Sequence, residues 1–203
     1  MYQIILASES PRRKEIMENM GIPYKVMASN VKEEVLETIP DLMVQALARL
    51  KTGAIKEQVR QQTDLEKDTI IIGADTMVFY EEHALGKPKD KEDAARMLRM
   101  LSDQVHDVCT GVSIIILKQD GSEESFSFAV GTKVVVNPLT EEQIQDYIAT
   151  GEPMDKAGAY AIQGKFGIYI KKIEGDYYNI VGFPIAEIYA SLLRYGIDLK
   201  KIN

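Results

Sequence analysis

The chain has 203 residues, 45% of them hydrophobic, which is enough for one sizeable core or for two small lobes. A net charge of −7 and a pI near 5.0 argue against binding a long polyanion, which calls for a broad basic face, so no nucleic-acid partner is expected. The single cysteine, Cys109, leaves no intrachain disulfide to form, residues 1–6 are too short an apolar run for a signal peptide, and no later run approaches the roughly 20 apolar residues that span a bilayer; a cytoplasmic protein without a membrane partner is expected.

Residues 2–7 read as a buried strand and 8–11 as a turn into a helix that stops at Gly21. A second strand over 24–28 precedes a polar segment holding Lys32, Glu33 and Glu34. Thr38 is the expected N-cap of a long helix with Pro40 in its first turn and Leu42, Ala46, Leu47, Leu50 and Ala54 along one face. The β-branched run 69–73 reads as a central strand that breaks at Ala74-Asp75-Thr76 and resumes over 77–80. Asp90 is placed to cap a helix with Ala94, Met97, Leu98 and Leu101 on one side. Residues 105–117 and 124–136 read as long strands joined through Asp120-Gly121. Thr140 and Gln143 form a capping box for a helix closed by Gly151, followed by a glycine-rich loop over 152–167, a strand over 168–173 and a last helix after Pro184. With no internal repeat or linker, residues 1–203 read as one α/β domain, single or bilobed, with a mixed sheet and its chemistry in the loops.

Four constellations carry chemistry. In Ser8-Glu9-Ser10-Pro11-Arg12-Arg13, Ser10 suits an N-cap and Pro11 the first helical position, so Arg12, Arg13 and Lys14 crowd the positive end of a helix dipole. A bound phosphate would offset that crowding through backbone N–H groups, serine hydroxyls and guanidinium forks; for a lone Arg-Arg pair, sideways reach to surface carboxylates is the commoner outcome. Gly73-Ala74-Asp75-Thr76 sets a short carboxylate at the end of an apolar run, where it can bind a metal, orient a water or merely form an Asx-turn. Glu33, Glu34, Lys51 and the Lys87 of Gly86-Lys87-Pro88 are scattered charges whose ordinary fate is a solvated face and whose significance rests on convergence; the Gly-Lys-Pro turn presents its ammonium from a defined direction. In Asp155-Lys156-Ala157-Gly158-Ala159-Tyr160-Ala161-Ile162-Gln163-Gly164 small residues allow close packing around a ligand, and the Gln163 amide matches the O4 and N3–H edge of uracil or thymine. That amide can turn to serve cytosine, so selectivity requires something to fix Gln163. No P-loop and no dinucleotide fingerprint is present, the spacing of His83 and His106 fits no zinc motif, and His106 and Cys109 read as structural.

Taken in order, Ile5-Leu6-Ala7-Ser8-x-Ser10-Pro11-Arg12-Arg13, Gly73-Ala74-Asp75-Thr76, Leu85-Gly86-Lys87-Pro88 and Asp155-Lys156-Ala157-Gly158-Ala159-Tyr160-x-Ile162-Gln163-Gly164, with Gly175-Asp176-Tyr177-Tyr178 and Val181-Gly182-x-Pro184 after them, closely resemble the Maf family across nearly the whole chain. Ala161 and Asp103 stand where that family usually has glycine; the first could tighten the loop beside Gln163 and the second alters a turn. The resemblance implies an elongated α/β fold similar to inosine triphosphate pyrophosphatases, with a mixed sheet flanked by helices, two lobes around a central cleft, and usually a homodimer. It implies attack of water on the α-phosphorus of a nucleoside triphosphate with release of pyrophosphate. By resemblance, Asp75 is the catalytic carboxylate and, with Glu33, a metal position; Ser8, Arg12, Arg13, Lys51 and Lys87 contact the triphosphate; Arg12, Thr76 and Gln163 mark the branch that acts on dTTP and UTP. Whether Asp75 is a proton acceptor or chiefly holds metal and water stays open, and Mg2+, with Mn2+ close behind, suits such oxygen ligands. The other reading the resemblance offers is a nucleotide-binding regulator of septum formation with little turnover, in place of a house-cleaning hydrolase.

Overall fold

The computed structural model describes residues 2–29, 31–61, 67–81 and 83–202. Its elements run β1 (Tyr2–Leu6), α1 (Pro11–Asn19), β2 (Lys25–Val26), α2 (Pro40–Gln61), β3 (Asp68–Tyr80), β4 (His83–Leu85), α3 (Lys91–Leu101), β5 (Val105–Leu117), β6 (Glu123–Val136), α4 (Glu141–Ala149), β7 (Ile170–Glu174), α5 (Tyr177–Val181) and α6 (Ile185–Arg194), with short 3-10 turns between and after the last of them. Among the described residues seven strands form one sheet in the order β2-β1-β3-β5-β6-β7, with β4 paired to β3. β1 is parallel to β2 and β3, whereas β3–β4 and β6–β7 are antiparallel, so the sheet is mixed and the fold is α/β.

Local signals place several of these elements. Asp90 caps α3 by accepting from the Asp93 N–H at 2.8 Å. Thr140 and Gln143 close the capping box of α4, with Thr140 Oγ1 accepting the Gln143 N–H and Gln143 Oε1 accepting the Thr140 N–H. Gly121, at φ 85°, turns β5 into β6.

Four expectations need correction. β3 is one unbroken strand through Ala74-Asp75-Thr76, because ion-pair partners outside the strand hold the Asp75 carboxylate without a local turn. α2 begins at Pro40, so Thr38 lies outside it, and Leu42 and Leu50 are exposed; the buried face carries Val44, Ala46, Leu47, Ala48, Thr52, Ile55 and Val59. The loop over 152–167 is organised by 3-10 turns at Glu152–Asp155, Ala157–Ala159 and Lys165–Tyr169, and the strand after it starts only at Ile170. The second strand shrinks to Lys25–Val26.

The chain divides into two compact units whose boundaries fall within β3, β5 and β6 and at residue 182. The first holds residues 1–75, 110–129 and 182–203, and in it α2 lays Ile55 and Val59 on Ile5, Ala7, Ile71, Ile115 and Leu117. Two glycines seat that helix: a Cβ at Gly73 would lie 2.7 Å from Thr52 Cγ2, and one at Gly111 2.5 Å from the Gln45 N, so the sheet admits the α2 backbone only where side chains are missing. Thr52 Oγ1 then meets Ser113 Oγ at 2.8 Å, fixing the helix's register on the sheet. The second unit, residues 76–109 and 130–181, packs α3 and α4 with β4, β7 and the 3-10 turns around Leu98, Leu101, Tyr147, Tyr160 and Phe166. Among the described residues no helix is long and apolar enough to cross a membrane.

Candidate active site

Alternation along β3 decides what Asp75 meets. Ile71, Gly73 and Asp75 share one face, and the first two of them lie against α2 at Ile55 and Thr52, so the third arrives opposite Lys51, one residue from Thr52. The Lys51 ammonium contacts Asp75 Oδ1 and reaches Glu33 Oε1 at 3.2 Å, so two carboxylates converge on one cation. Lys51 and Asp75 are nearly buried while Glu33 is half exposed, which leaves the group open on the Glu33 side.

Arg13 approaches the same carboxylates from the start of α1. Its Nε donates to the Gly182 carbonyl at 2.8 Å and its Nη1 to Ser8 Oγ at 3.0 Å, so the guanidinium plane is fixed from both ends of the chain. Burial pulls the Arg13 pKa below its usual value; Asp75 opposes that, Arg12 adds to it, and Glu33 opposes it more weakly. The buried Arg13 guanidinium thus lies in the combined field of Asp75, Arg12 and Glu33. Ser8 Oγ accepts from both Arg13 and the Ser10 N–H at 3.2 Å, which engages both lone pairs and leaves its O–H to donate to an anion. Ser10 occupies the N-cap position but makes no side-chain cap, and the first turn of α1 holds no acidic residue. Ser8, Arg12, Arg13, Glu33, Lys51 and Asp75 all belong to the first unit, where Arg13 bonds Ser8, Lys51 pairs with Asp75 and Glu33, and Arg13 lies within the electrostatic reach of both carboxylates. Glu34 instead pairs with Lys32 at 2.5 Å on an exposed face.

Among the described residues no three acidic, histidine or cysteine side chains cluster as a metal cage. Glu33 and Asp75 nonetheless supply two hard oxygen donors around one cationic position, the share a protein commonly gives to Mg2+ when substrate phosphates and water complete the shell.

Thr76, Lys87 and Gln163 belong to the second unit. Thr76 is half-buried on β3, on the opposite face from Asp75. The Gly86-Lys87-Pro88 turn is tied to the Lys156–Tyr160 stretch, residues 156–160, by the Gly158 N–H donating to the Gly86 carbonyl at 3.1 Å, with Lys87 exposed and Pro88 buried. Gln163 is exposed at the crest of its loop. His106 is structural, buried with Nε2 2.7 Å from the Tyr160 hydroxyl, and burial holds its pKa down to about 4. Cys109 is buried. Sequence reasoning missed Gly182 as the acceptor for Arg13, although Val181-Gly182-x-Pro184 marked the spot, and missed Tyr147 and Glu152, which brace the Gln163 loop.

The sequence matches the family described as Maf-like protein over residues 3–195. It is 50% identical over 201 residues to the dTTP/UTP pyrophosphatase of Lachnoclostridium phytofermentans, covering 99% of each chain. It is 46% identical to the dTTP/UTP pyrophosphatase of Agathobacter rectalis, covering 98% of this chain and 100% of that one. Among solved structures, the Staphylococcus aureus Ham1 protein aligns over 95% of this chain and 99% of its own at 17% identity and a TM-score of 0.43.

Proposed function

The chain belongs to the Maf-like family, and from that premise we propose that it is a nucleoside triphosphate pyrophosphatase that hydrolyses dTTP and UTP to the monophosphate and pyrophosphate. The observation that carries the reading is the arrangement around Asp75: a nearly buried carboxylate paired with Lys51, which also reaches Glu33, with the buried Arg13 guanidinium in the same electrostatic field. A triphosphate tail is the anion that guanidinium groups, a lysine and a helix amino end suit. Arg12, Arg13 and Lys51, the Ser8 hydroxyl and the amino end of α1 bind it and spread the charge that develops as pyrophosphate leaves, with Lys87 adding an ammonium from its turn. Asp75 orients the attacking water and takes up its proton, while Lys51 holds the carboxylate in place for in-line attack on the α-phosphorus. Glu33 and Asp75 would hold Mg2+, or Mn2+, which when bound neutralises phosphate charge and acidifies water. Thr76 and Gln163 face the base, Gln163 pairing with the O4 and N3–H edge that uracil and thymine share. A cytoplasmic homodimer is the proposed setting.

The test is pyrophosphate release from a panel of nucleoside triphosphates with Mg2+ or Mn2+, comparing the parent with Asp75→Asn. dTTP and UTP are expected to lead the panel, and the variant to lose about 10²–10⁴-fold, the range for removing a positioned base. Equal rates for the two proteins would take Asp75 out of the reaction, and tight dTTP binding without turnover in the parent would favour the regulator of septum formation.

A further inference from the structure

Selection of one pyrimidine edge by an amide requires the amide to be held, and Gln163 stands on a short loop whose neighbours are pinned from one side. The Ala161 N–H donates to the Tyr147 hydroxyl at 3.3 Å, that hydroxyl donates to Glu152 Oε1 at 2.8 Å, and Glu152 Oε2 accepts the Lys165 N–H at 3.2 Å. One phenol and one carboxylate thus tie down the backbone two residues before and two residues after Gln163. Gly164 makes this possible. Its φ of −98° suits any residue, but a Cβ there would come within 2.6 Å of Glu152 Oε2 and closer still to Oε1, so the carboxylate lies directly beneath the loop. The ends of the segment are anchored too. Tyr160 is held by His106, and the Phe166 ring sits 5.0 Å from both Tyr147 and Tyr160 and 5.3 Å from Tyr169. Between these anchors Gln163, Gly164 and Lys165 are exposed.

We propose that Tyr147 and Glu152 are positioning residues for base choice, holding the loop backbone so that the Gln163 amide reaches the uracil or thymine edge from a fixed direction. The inference rests on the reading of Gln163 as the base-facing residue. A carboxylate is the group the position needs, since its two oxygens can accept from Tyr147 and Lys165 at once, whereas a glutamine in its place has a single acceptor oxygen.

The experiment measures kcat and KM for dTTP, UTP and CTP in the parent, Glu152→Gln, Tyr147→Phe, Gln163→Ala and the Glu152→Gln/Gln163→Ala double variant, with urea unfolding as a folding control. The ratio of kcat/KM for dTTP over CTP is expected to fall about tenfold in each single variant, one hydrogen bond's worth of discrimination, with kcat for dTTP changed less than about twofold in Glu152→Gln and Tyr147→Phe. The double variant is expected to lose no more selectivity than Gln163→Ala alone, because the pair acts through that residue. Gly164→Ala, which displaces the Glu152 carboxylate while leaving Glu152 in the chain, is expected to reproduce the loss and stands in for Glu152→Gln should that variant fail to fold. If Gln163→Ala shifts the ranking while Glu152→Gln, Tyr147→Phe and Gly164→Ala keep the parent ratio, the proposal is overturned and the base reading survives. Additive losses in the double variant would likewise overturn it, and an unchanged ranking in Gln163→Ala would remove the base reading on which it rests.

Discussion

Replacing Gly73 with alanine tests how the Lys51–Asp75 pair is held. The added Cβ would stand 2.7 Å from Thr52 Cγ2 and 3.3 Å from the Ala48 carbonyl oxygen, so α2 must retreat by about half an ångström or more, or Thr52 must turn. Thr52 cannot turn freely, because its hydroxyl meets Ser113 at 2.8 Å and donates to the Arg49 carbonyl at 3.2 Å, and a β-branched side chain in a helix has few rotamers. Overpacking of this kind costs about 1–3 kcal/mol, and at about 2–4 °C per kcal/mol for a chain of this size the melting temperature should fall by roughly 3–10 °C. The same retreat moves Lys51, the next residue, off Asp75, and a shift of that order near reacting groups lowers kcat/KM by about 10–100-fold. Differential scanning calorimetry and pyrophosphate release read the two effects. Thr52→Ser removes the clashing methyl and keeps the hydroxyl, so the Gly73→Ala/Thr52→Ser double variant should regain most of both. A Gly73→Ala protein as stable and active as the parent, or one that Thr52→Ser leaves unimproved, would refute the packing argument.

Three further outcomes are expected. Lys51→Met should cut kcat/KM for dTTP by about 10²-fold through lost charge stabilisation, and should also destabilise the fold, since it removes the ammonium paired with the nearly buried Asp75 carboxylate; unchanged turnover would show that Lys51 serves packing alone. His106 takes up a proton near 6.5 in the unfolded chain but only near 4 when buried, so unfolding binds a proton between those values and stability falls as the pH drops through that window. Urea unfolding at pH 7.5 and 4.5 should therefore show the parent losing about 2–3 kcal/mol more than His106→Gln, and equal losses would contradict the burial argument. Asp103 sits at φ 58°, which side-chain-bearing residues disfavour, so Asp103→Gly should raise stability by up to about 1 kcal/mol in the same assay, and a loss would show that the aspartate makes a compensating contact.

What the sequence made legible were features with a local cause. Asp90 before α3, the Thr140–Gln143 box and the Asp120-Gly121 turn each satisfy backbone groups within a few residues, so spacing alone located them. The errors came where distant residues decide. Asp75 looked like a strand break because nothing near it in sequence compensates a buried carboxylate; Lys51 and Arg13 do so from two different helices. On α2 the spacing places Ala46 and Leu47 on the buried face, where they are, but Gly73 and Gly111 admit the helix on Val44, Ala48 and Thr52 and leave Leu42 and Leu50 outside. Asp103, standing where the family usually has glycine, takes the left-handed conformation a glycine would. Ala161 does not, so its methyl brings no backbone strain to the loop beside Gln163. A tyrosine and a glutamate five residues apart carry no motif, so the brace on that loop is not legible in the sequence; Gly164, next to Gln163, is the available hint.

The most direct measurement is hydrolysis of dTTP in water enriched in oxygen-18, with the products weighed by mass spectrometry. Attack on the α-phosphorus beside Asp75 puts one heavy oxygen in the thymidine monophosphate and none in the pyrophosphate. Label in the pyrophosphate, or release of inorganic phosphate with a diphosphate product, would place the attack on another phosphorus and contradict the account.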